Sequence, residues 1–476
     1  MRYNYDVTVI GGGAAGLVAA TGAAALGAKT ALIENNKLGG DCTWYGCVPS
    51  KALLKSASVF SLIKRLKDFG ISASGVDKYD SSNVMSHVRE MVKKVSSHHP
   101  PEVFQKRGIE VLFGSSRFIN NKTIEFKGAR ITSKRFIICT GSHALVPPIV
   151  GIKGVEYITN QSIFDLEVLP KSLIVLGGGP IGVEISQALS RLGVEVSIIE
   201  MFDRILFRED PEAVQVLVDS LIKDGVKIYL GKKAVKLSKE GESVVVTIED
   251  KNNEQSVIKA EKILVAVGRA PTIIDLRLDE VKIKYDNKGI KVDNTLRTSA
   301  RNIYACGDVV GHYQFSHMAE YQAIIAVGNA LFPFKRKVDY SCVPWCTFTD
   351  PELAHLGLTE QEAKEKYGNV KVFRSNYSEN DRAVTDMEES GFVKVICDKK
   401  GNILGAHIVG ANAGELIHEY VLAKTKGLKI GDLSSAIHVY PTLAQIVKRT
   451  GDQYYMQMLS SKWIKGLSKL FINMMR

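Results

Sequence analysis

Tyr5-Asp-Val-Thr-Val-Ile10, Gly11-Gly-Gly-Ala-Ala-Gly16 and Leu17-Val-Ala-Ala-Thr-Gly-Ala-Ala-Ala-Leu-Gly27 follow one another without a break, and Lys29-Thr-Ala-Leu-Ile-Glu34 closes the stretch. A β-branched run, a glycine turn, an alanine-rich helical segment and a second strand ending in an acid make a βαβ unit. In Gly11-x-Gly13-x-x-Gly16 the glycines permit a tight turn and let backbone N–H groups approach a pyrophosphate at a helix N-terminus. Glu34 stands where a carboxylate would accept hydrogen bonds from a ribose. Three spaced glycines alone also occur in ordinary strand–turn–helix units. The strand before, the helix after and the terminal acid make this one a dinucleotide site.

The pattern returns once. A strand from Leu173 to Leu176 meets Gly177-Gly-Gly-Pro-Ile-Gly182, and a helix to Leu192 leads to a strand ending in Glu200. Closing strands match as well: Phe136-Ile-Ile-Cys-Thr-Gly141 in one copy, Ile263-Leu-Val-Ala-Val-Gly268 in the other. The chain is internally duplicated. In the second copy Gly177, Gly179 and Gly182 would carry a nicotinamide dinucleotide. Glu200 accepts a free 2′-hydroxyl and repels a 2′-phosphate, which favours NADH over NADPH. Arg204 and Arg208 lie close enough in sequence to keep NADPH open.

Pro147-Pro148, Gly151 and Gly154 mark a linker near residue 150, and a second boundary falls around Tyr340–Trp345. Beyond it, strands at Val370–Arg374, Val393–Cys397 and Ile403–Val409 precede helices at Gly414–Thr425 and Thr442–Met458, an α+β pattern. The fold class is therefore α/β, with two Rossmann-like dinucleotide-binding domains and a C-terminal α+β domain. The 476 residues include 62 basic and 51 acidic side chains, a net charge of +11 spread through the chain. Spread so evenly, that charge does not indicate nucleic acid. No apolar run reaches the roughly 20 residues that span a bilayer. The chain enters its first strand almost at once, leaving no room for a signal peptide, so a cytoplasmic protein is expected. Seven cysteines over this length do not form a disulfide scaffold.

Gly39-Gly-Asp-Cys42-Thr-Trp-Tyr-Gly-Cys47-Val-Pro-Ser-Lys51 is the most informative remaining stretch. Pro49 and the periodic Ala52, Leu53, Val59 and Leu62 start a helix near the second cysteine. Residues five apart in an ideal helix lie about 8–9 Å apart, beyond the roughly 7 Å that a disulfide tolerates. A Cys42–Cys47 bridge needs a distorted first turn, which Gly46 permits, and a strained bridge is easily reduced. The helix start and Lys51 would both lower a thiolate pKa. A metal site or two buried thiols are the plainer alternatives. No second cysteine or histidine pair offers zinc-like spacing, so no resident metal is expected.

This segment resembles the redox-disulfide loop of the class I FAD-dependent pyridine nucleotide–disulfide oxidoreductases, the family of dihydrolipoamide dehydrogenase, glutathione reductase and mercuric reductase. The resemblance continues through Thr140-Gly-Ser142, Gly268-Arg-Ala-Pro271, Tyr304-Ala-Cys-Gly-Asp308, Phe348-Thr-Asp-Pro-Glu352 and Tyr440-Pro-Thr442, so it covers essentially the whole chain. It implies FAD at the first fingerprint and NADH at the second, with electrons passing to a Cys42–Cys47 disulfide and on to a disulfide or metal-ion acceptor. Cys47 then corresponds to the charge-transfer thiol beside the flavin and Cys42 to the thiol that exchanges with substrate. Lys51 matches a lysine near the flavin, paired with a glutamate matching Glu184. FAD contacts are implied for Gly11, Gly13, Gly16, Glu34, Lys51, Gly114, Thr140, Gly141, Ser142 and Asp308. The helix entry Gln314, Phe315, Ser316 and His317 adds backbone N–H groups facing the flavin pyrimidine. NAD contacts are implied for Gly177, Gly179, Gly182, Glu184, Glu200, Val235 and Gly268. The implied domains are FAD-binding (1–150), NAD-binding (151–274), the second part of the FAD and central domain (275–345), and homodimerisation (346–476).

The sequence also leaves the pattern. A catalytic histidine precedes the proline matching Pro441 in dihydrolipoamide dehydrogenase and glutathione reductase, with a glutamate four residues after it. Here those positions hold Tyr440 and Gln445. A tyrosine is a poor base at neutral pH but a usable acid, and His438 could face the same side. The C-terminal cysteine pair of mercuric reductase is missing, Cys342 and Cys346 read as buried thiols, and Trp44 has no assigned role. A redox-sensing flavoprotein, or a reductase of a quinone-type acceptor at a membrane surface, remain as alternatives. The last stretch, Leu459 to Arg476, is a basic amphipathic helix on a wheel of about 100° per residue. Its apolar side would pack on the body or a partner subunit, or dock peripherally on an anionic membrane.

Overall fold

A strand covered on both faces has no need of alternation, and the apolar run Tyr5–Ile10 is of that kind. In the computed structural model, which describes residues 3–72 and 78–476, it lies at the middle of a parallel sheet. The strand order is Ile109–Phe113, Thr30–Glu34, Tyr5–Ile10, Ala129–Ile138 and Ile303–Ala305. Apolar pairs such as Val9↔Leu32 and Val9↔Ile137 fix the register. The first half of Ala129–Ile138 leaves this sheet and pairs antiparallel with Thr123–Phe126, which pairs with Ser116–Asn120. The helix Ala14–Ala25 buries small residues, Ala15, Ala19, Ala20 and Ala23, in one core with Ala319, Ala323 and Ala326 of the helix Ser316–Leu331. Their small size lets the two helices approach closely, which brings the start of Ser316–Leu331 to the first glycine turn.

The second copy repeats this plan. Ser172–Leu176 pairs in parallel with Glu195–Ile199 and Lys262–Val265. A meander of Lys233–Glu240, Ser243–Glu249 and Gln255–Ala260 accompanies it. The duplication therefore extends beyond the glycine motifs to a three-stranded meander in each copy.

Packing divides the chain into two units. One runs to Asp203 and resumes at Ile228–Asp339; the other joins Arg204–Lys227 to Tyr340–Arg476. The helix Pro211–Lys223 falls within the range the sequence assigns to the NAD domain, yet it packs with the second unit. A buried polar knot explains this. Glu209 accepts from Trp345 Nε1 at 2.6 Å and pairs with His355 Nδ1 at 2.9 Å, while the Lys394 ammonium meets Asp210 at 3.1 Å and Glu212 at 2.6 Å. Removing one partner from such a buried set costs about 3–5 kcal/mol.

The second unit is built on a five-stranded antiparallel sheet ordered Pro344–Thr347, Glu352–Gly357, Ile403–Gly410, Phe392–Cys397, Lys371–Asn376. Ile417 and Tyr420 of the helix Ala413–Thr425, with Ile446 and Val447 of Gln445–Leu459, complete its core. That last helix begins at Gln445 rather than Thr442. A final helix, Lys462–Met474, follows and buries no residue. Most of its side chains are exposed, with Ile464 and Leu467 half-buried. Among the described residues no helix is long and apolar enough to cross a membrane.

Candidate active site

The two glycine turns are near copies in geometry. Gly11 has φ +104° and Gly177 φ +105°, and a Cβ would lie 2.3 Å from the Cys139 carbonyl oxygen in one and 2.5 Å from that of Ala266 in the other. A Cβ on Gly16 or Gly182 would lie 1.7 or 2.0 Å from the carbonyl oxygen of Gly11 or Gly177. The fold itself requires these four glycines. The middle ones differ. Gly13 (φ −80°, ψ −167°) and Gly179 (φ −77°, ψ 177°) are extended and would suit any residue. A Cβ on Gly13 would meet only Gly40 Cα at 3.8 Å, and one on Gly179 would meet nothing. The protein gains nothing from glycine there, so the bare backbone leaves room for a phosphate to approach.

The acids at the strand ends match too. Glu34 accepts from Gly12 N–H at 2.6 Å and Asn36 N–H at 2.7 Å; Glu200 accepts from Gly178 N–H at 2.6 Å and Phe202 N–H at 2.9 Å. Each carboxylate oxygen keeps a lone pair for a ribose hydroxyl. Gly114 follows the strand Ile109–Phe113 and donates its N–H to the Glu34 carbonyl at 2.8 Å, beside that acid. Val235 sits at a bulge of the strand Lys233–Glu240. The donors and acceptors fit a dinucleotide at each turn.

The closing strands bring a second cluster to the first turn. Ser142 Oγ donates to Asp308 at 2.6 Å and accepts from Arg269 Nε at 2.7 Å, and the Arg269 guanidinium also reaches Asp41 at 3.0 Å. Burial raises the Asp308 carboxyl pKa, with the Ser142 bond and Arg269 opposing. Thr140 Oγ1 donates to the Thr272 carbonyl at 2.6 Å. Gly307, ahead of Asp308, donates its N–H to Gln322 at 2.8 Å. Gly141 and Gly268 hold left-handed turns, φ +69° and +137°, at the ends of the two closing strands. Arg269 and Asp41 were not singled out in the sequence. Arg269 was legible only as the neighbour of Gly268, and Asp41 only as the residue before Cys42.

The cysteines occupy two successive helices. Cys42 lies on Gly40–Trp44, and Cys47 opens Cys47–Lys64. Tyr45 (φ −136°, ψ 0°) and Gly46 (φ −128°, ψ −104°) break the run between them. This is the distorted turn expected of Gly46, and it makes the two thiols hydrogen-bond partners. Cys47 Sγ also lies 3.6 Å from the hydroxyl of Ser316, the residue opening Ser316–Leu331, with Phe315 as its N-cap. One turn after Cys47, the Lys51 ammonium donates to Glu184 at 2.8 Å, and the Glu184 side chain is 8% exposed. Cys47 is lowered from 9.0 to about 6. The Cys42 bond contributes most, followed by Ser316 and the Lys51 charge, while burial and Glu184 oppose. Cys42 is raised, chiefly by the same bond and by burial. Of the two, Cys47 is the thiol whose surroundings favour the anion.

Of the remaining candidates, all but Trp44 lie in the second unit. Tyr440 donates its hydroxyl to Asp381 at 2.9 Å, which raises its pKa. His438 faces acceptors with both ring nitrogens, the Ala436 carbonyl at 3.0 Å and Glu419 at 2.9 Å. Neither Asp381 nor Glu419 was legible as a partner. Cys346 lies on Pro344–Thr347 and is half-buried, as is Cys342. Trp44 caps the short helix, its Nε1 donating to the Leu38 carbonyl at 2.8 Å and its ring lying under the Lys37 ammonium.

Comparison with known proteins follows this geometry. Mercuric reductase of Bacillus cereus is 35% identical over 449 residues, 94% of this chain and 71% of that one. Dihydrolipoyl dehydrogenase of Bacillus subtilis is 34% identical over 465 residues, 94% of this chain and 97% of that one. Among solved structures, the HOCl-induced flavoprotein disulfide reductase RclA from Escherichia coli superposes with a TM-score of 0.84 at 27% identity, covering 94% of this chain and 99% of that one. Residues 5–323 match the model of the pyridine nucleotide-disulphide oxidoreductases, and residues 343–450 match that family's dimerisation domain. With both nucleotide cradles and the cysteine pair in place, the chain belongs to the pyridine nucleotide-disulphide oxidoreductase family.

Proposed function

We propose that this enzyme takes electrons from NADH and delivers them, through FAD held at the first glycine turn, to the Cys42–Cys47 pair and then to a disulfide or metal-ion acceptor. The observation that carries this is the cysteine pair itself: Cys47 opens a helix 3.6 Å from Ser316 Oγ and one turn from the Lys51–Glu184 pair, and Cys42 lies on the short helix before it. FAD, when bound, accepts a hydride and passes on two electrons. The protein's residues do the rest. Reduction of the Cys42–Cys47 bond leaves a thiol on Cys42 and a thiolate on Cys47. Cys42, once deprotonated, attacks an acceptor disulfide, forming a mixed disulfide and releasing one thiolate. Cys47 then attacks the Cys42 sulfur, releasing the second thiolate and closing the bond again. Lys51, anchored by Glu184, fixes positive charge where the thiolate forms. The mercuric reductases among the relatives and a Cu(II) complex of RclA support a metal ion as the other acceptor class.

In this reading residues 346–476 form the homodimer, 1–150 with 275–345 hold FAD, and 151–274 hold NADH, in the cytoplasm. Glu200 supports NADH over NADPH. Steady-state oxidation of NADH and of NADPH with lipoamide, glutathione disulfide, mercuric and cupric ions and quinones tests it. Reduction of at least one disulfide or metal ion, lost in Cys42→Ser, is the expected result. If NADH reduces the cysteines but no acceptor supports turnover, the protein is a redox sensor and the enzymatic reading fails.

The middle glycines give a sharper test of the cofactor sites. Gly13→Ala should fold normally yet retain little flavin, and Gly179→Ala should keep its flavin but lose at least about tenfold in affinity for the nicotinamide. Flavin content after gel filtration and NADH titration measure this. Unchanged binding in both variants would remove the phosphate cradles from the argument.

A further inference from the structure

The helix Lys462–Met474 lies beyond the family's dimerisation match, which ends at residue 450. No acid occurs after Asp452, whereas Lys462, Lys465, Lys469 and Arg476 are all basic. At about 100° per residue, Leu459, Trp463, Leu467, Leu470, Phe471 and Met474 fall on one arc, with the four bases on the opposite side. Most of that arc is exposed, Trp463 at 75%, Leu470 57%, Phe471 59% and Met474 73%, while Leu467 is half-buried. Single exposed apolar residues need no explanation, but a contiguous arc of them calls for a partner.

We propose that this helix docks the enzyme on a bilayer surface carrying anionic lipid. Thirteen residues extend only about 20 Å, too short for a hydrocarbon core of roughly 30 Å, so the helix lies in the interface with its aromatic side down. The bases on the opposite side then stand at the level of the headgroups, well within a Debye length of their charge. Charge favours this occupant: four bases and no acid follow Asp452, and an anionic leaflet is their complement. Docking would hold the reductase beside membrane-borne acceptors without a spanning segment.

The purified holoenzyme, centrifuged with phosphatidylcholine vesicles with or without one-third phosphatidylglycerol, tests this. It should sediment with the anionic vesicles at low salt, remain in solution with phosphatidylcholine alone, and be released as salt rises. Phe471→Asp should abolish sedimentation. Replacing Lys462, Lys465 and Lys469 by glutamine should weaken it by roughly fivefold per lysine. Both variants should leave NADH oxidation and the dimer intact. No binding to anionic vesicles at low salt overturns the proposal, as does equal binding by a chain ending at Leu459. A Phe471→Asp protein that falls from dimer to monomer in sedimentation velocity also overturns it, because the partner subunit then covers the arc.

Discussion

Cys47→Ser should abolish the long-wavelength absorbance that NADH reduction produces in the holoenzyme and cut acceptor reduction by on the order of 10³-fold or more. Cys42→Ser should show that absorbance without any reductant. The asymmetry follows from the pair. Cys47 opens a helix, contacts Ser316 Oγ at 3.6 Å, and lies one turn from Lys51. Its pKa is lowered to about 6, first by the Cys42 bond, then by Ser316 and the Lys51 charge. A lowered pKa means the thiolate persists at neutral pH and is lost only as pH falls through about 6. Alkylation of the reduced enzyme by iodoacetamide should therefore reach half its maximal rate near pH 6. Ser316→Ala and Lys51→Met should each move that midpoint upward, since each removes a stabilising partner of the anion. If Cys47→Ser keeps the absorbance, or if the midpoint lies near an ordinary thiol's 9.0, Cys47 is not the resident thiolate.

How much of this could be read from the chain depends on how local each feature is. The βαβ units were legible because strand, glycine turn, helix and acid fall within about thirty residues. Their hydrogen bonds, Glu34 to Gly12 and Glu200 to Gly178, repeat at the same separation of 22 residues. The broken turn between Cys42 and Cys47 was legible as a need for distortion, but not as two separate helices. Long-range partners were not legible. Arg269 joins Ser142 and Asp41 across more than a hundred residues, and Asp381 and Glu419 reach Tyr440 and His438 from other elements. No periodicity encodes such pairs. The packing at the start of the helix Pro211–Lys223 was not legible for the same reason, since Trp345, His355 and Lys394, which meet Glu209, Asp210 and Glu212, come from a distant part of the chain. Cys139 and Cys306, with sulfurs 3.5 Å apart, become neighbours only because Ala129–Ile138 pairs with Ile303–Ala305.

Tyr440→His combined with Gln445→Glu should raise dithiol turnover, because general acid–base catalysis contributes roughly 10²–10⁴-fold and this chain lacks a ready proton donor at the family's position. Releasing the first thiolate of an acceptor disulfide is easier when a nearby acid protonates it. Tyr440 is poorly placed for that task, since its hydroxyl donates to Asp381 and its pKa is raised by that bond. His438 is held elsewhere, with Nδ1 3.0 Å from the Ala436 carbonyl and Nε2 2.9 Å from Glu419. Gln445 opens the helix that follows Pro441, so a glutamate there would stand four residues beyond the proline, where the family's orienting acid lies. The single Tyr440→His variant should gain less than the double, because an unoriented imidazole presents the wrong nitrogen part of the time. A new limb near pH 6.5, the ordinary histidine value, should appear in the pH profile of kcat for lipoamide. Tyr440→Phe separates the two roles of the native residue: unchanged turnover makes the tyrosine a tether to Asp381, and a fall makes it the acid. Wild-type lipoamide turnover equal to that of the dihydrolipoyl dehydrogenases would show that disulfide exchange at Cys42 proceeds without a dyad, and that protonation is not what limits this enzyme.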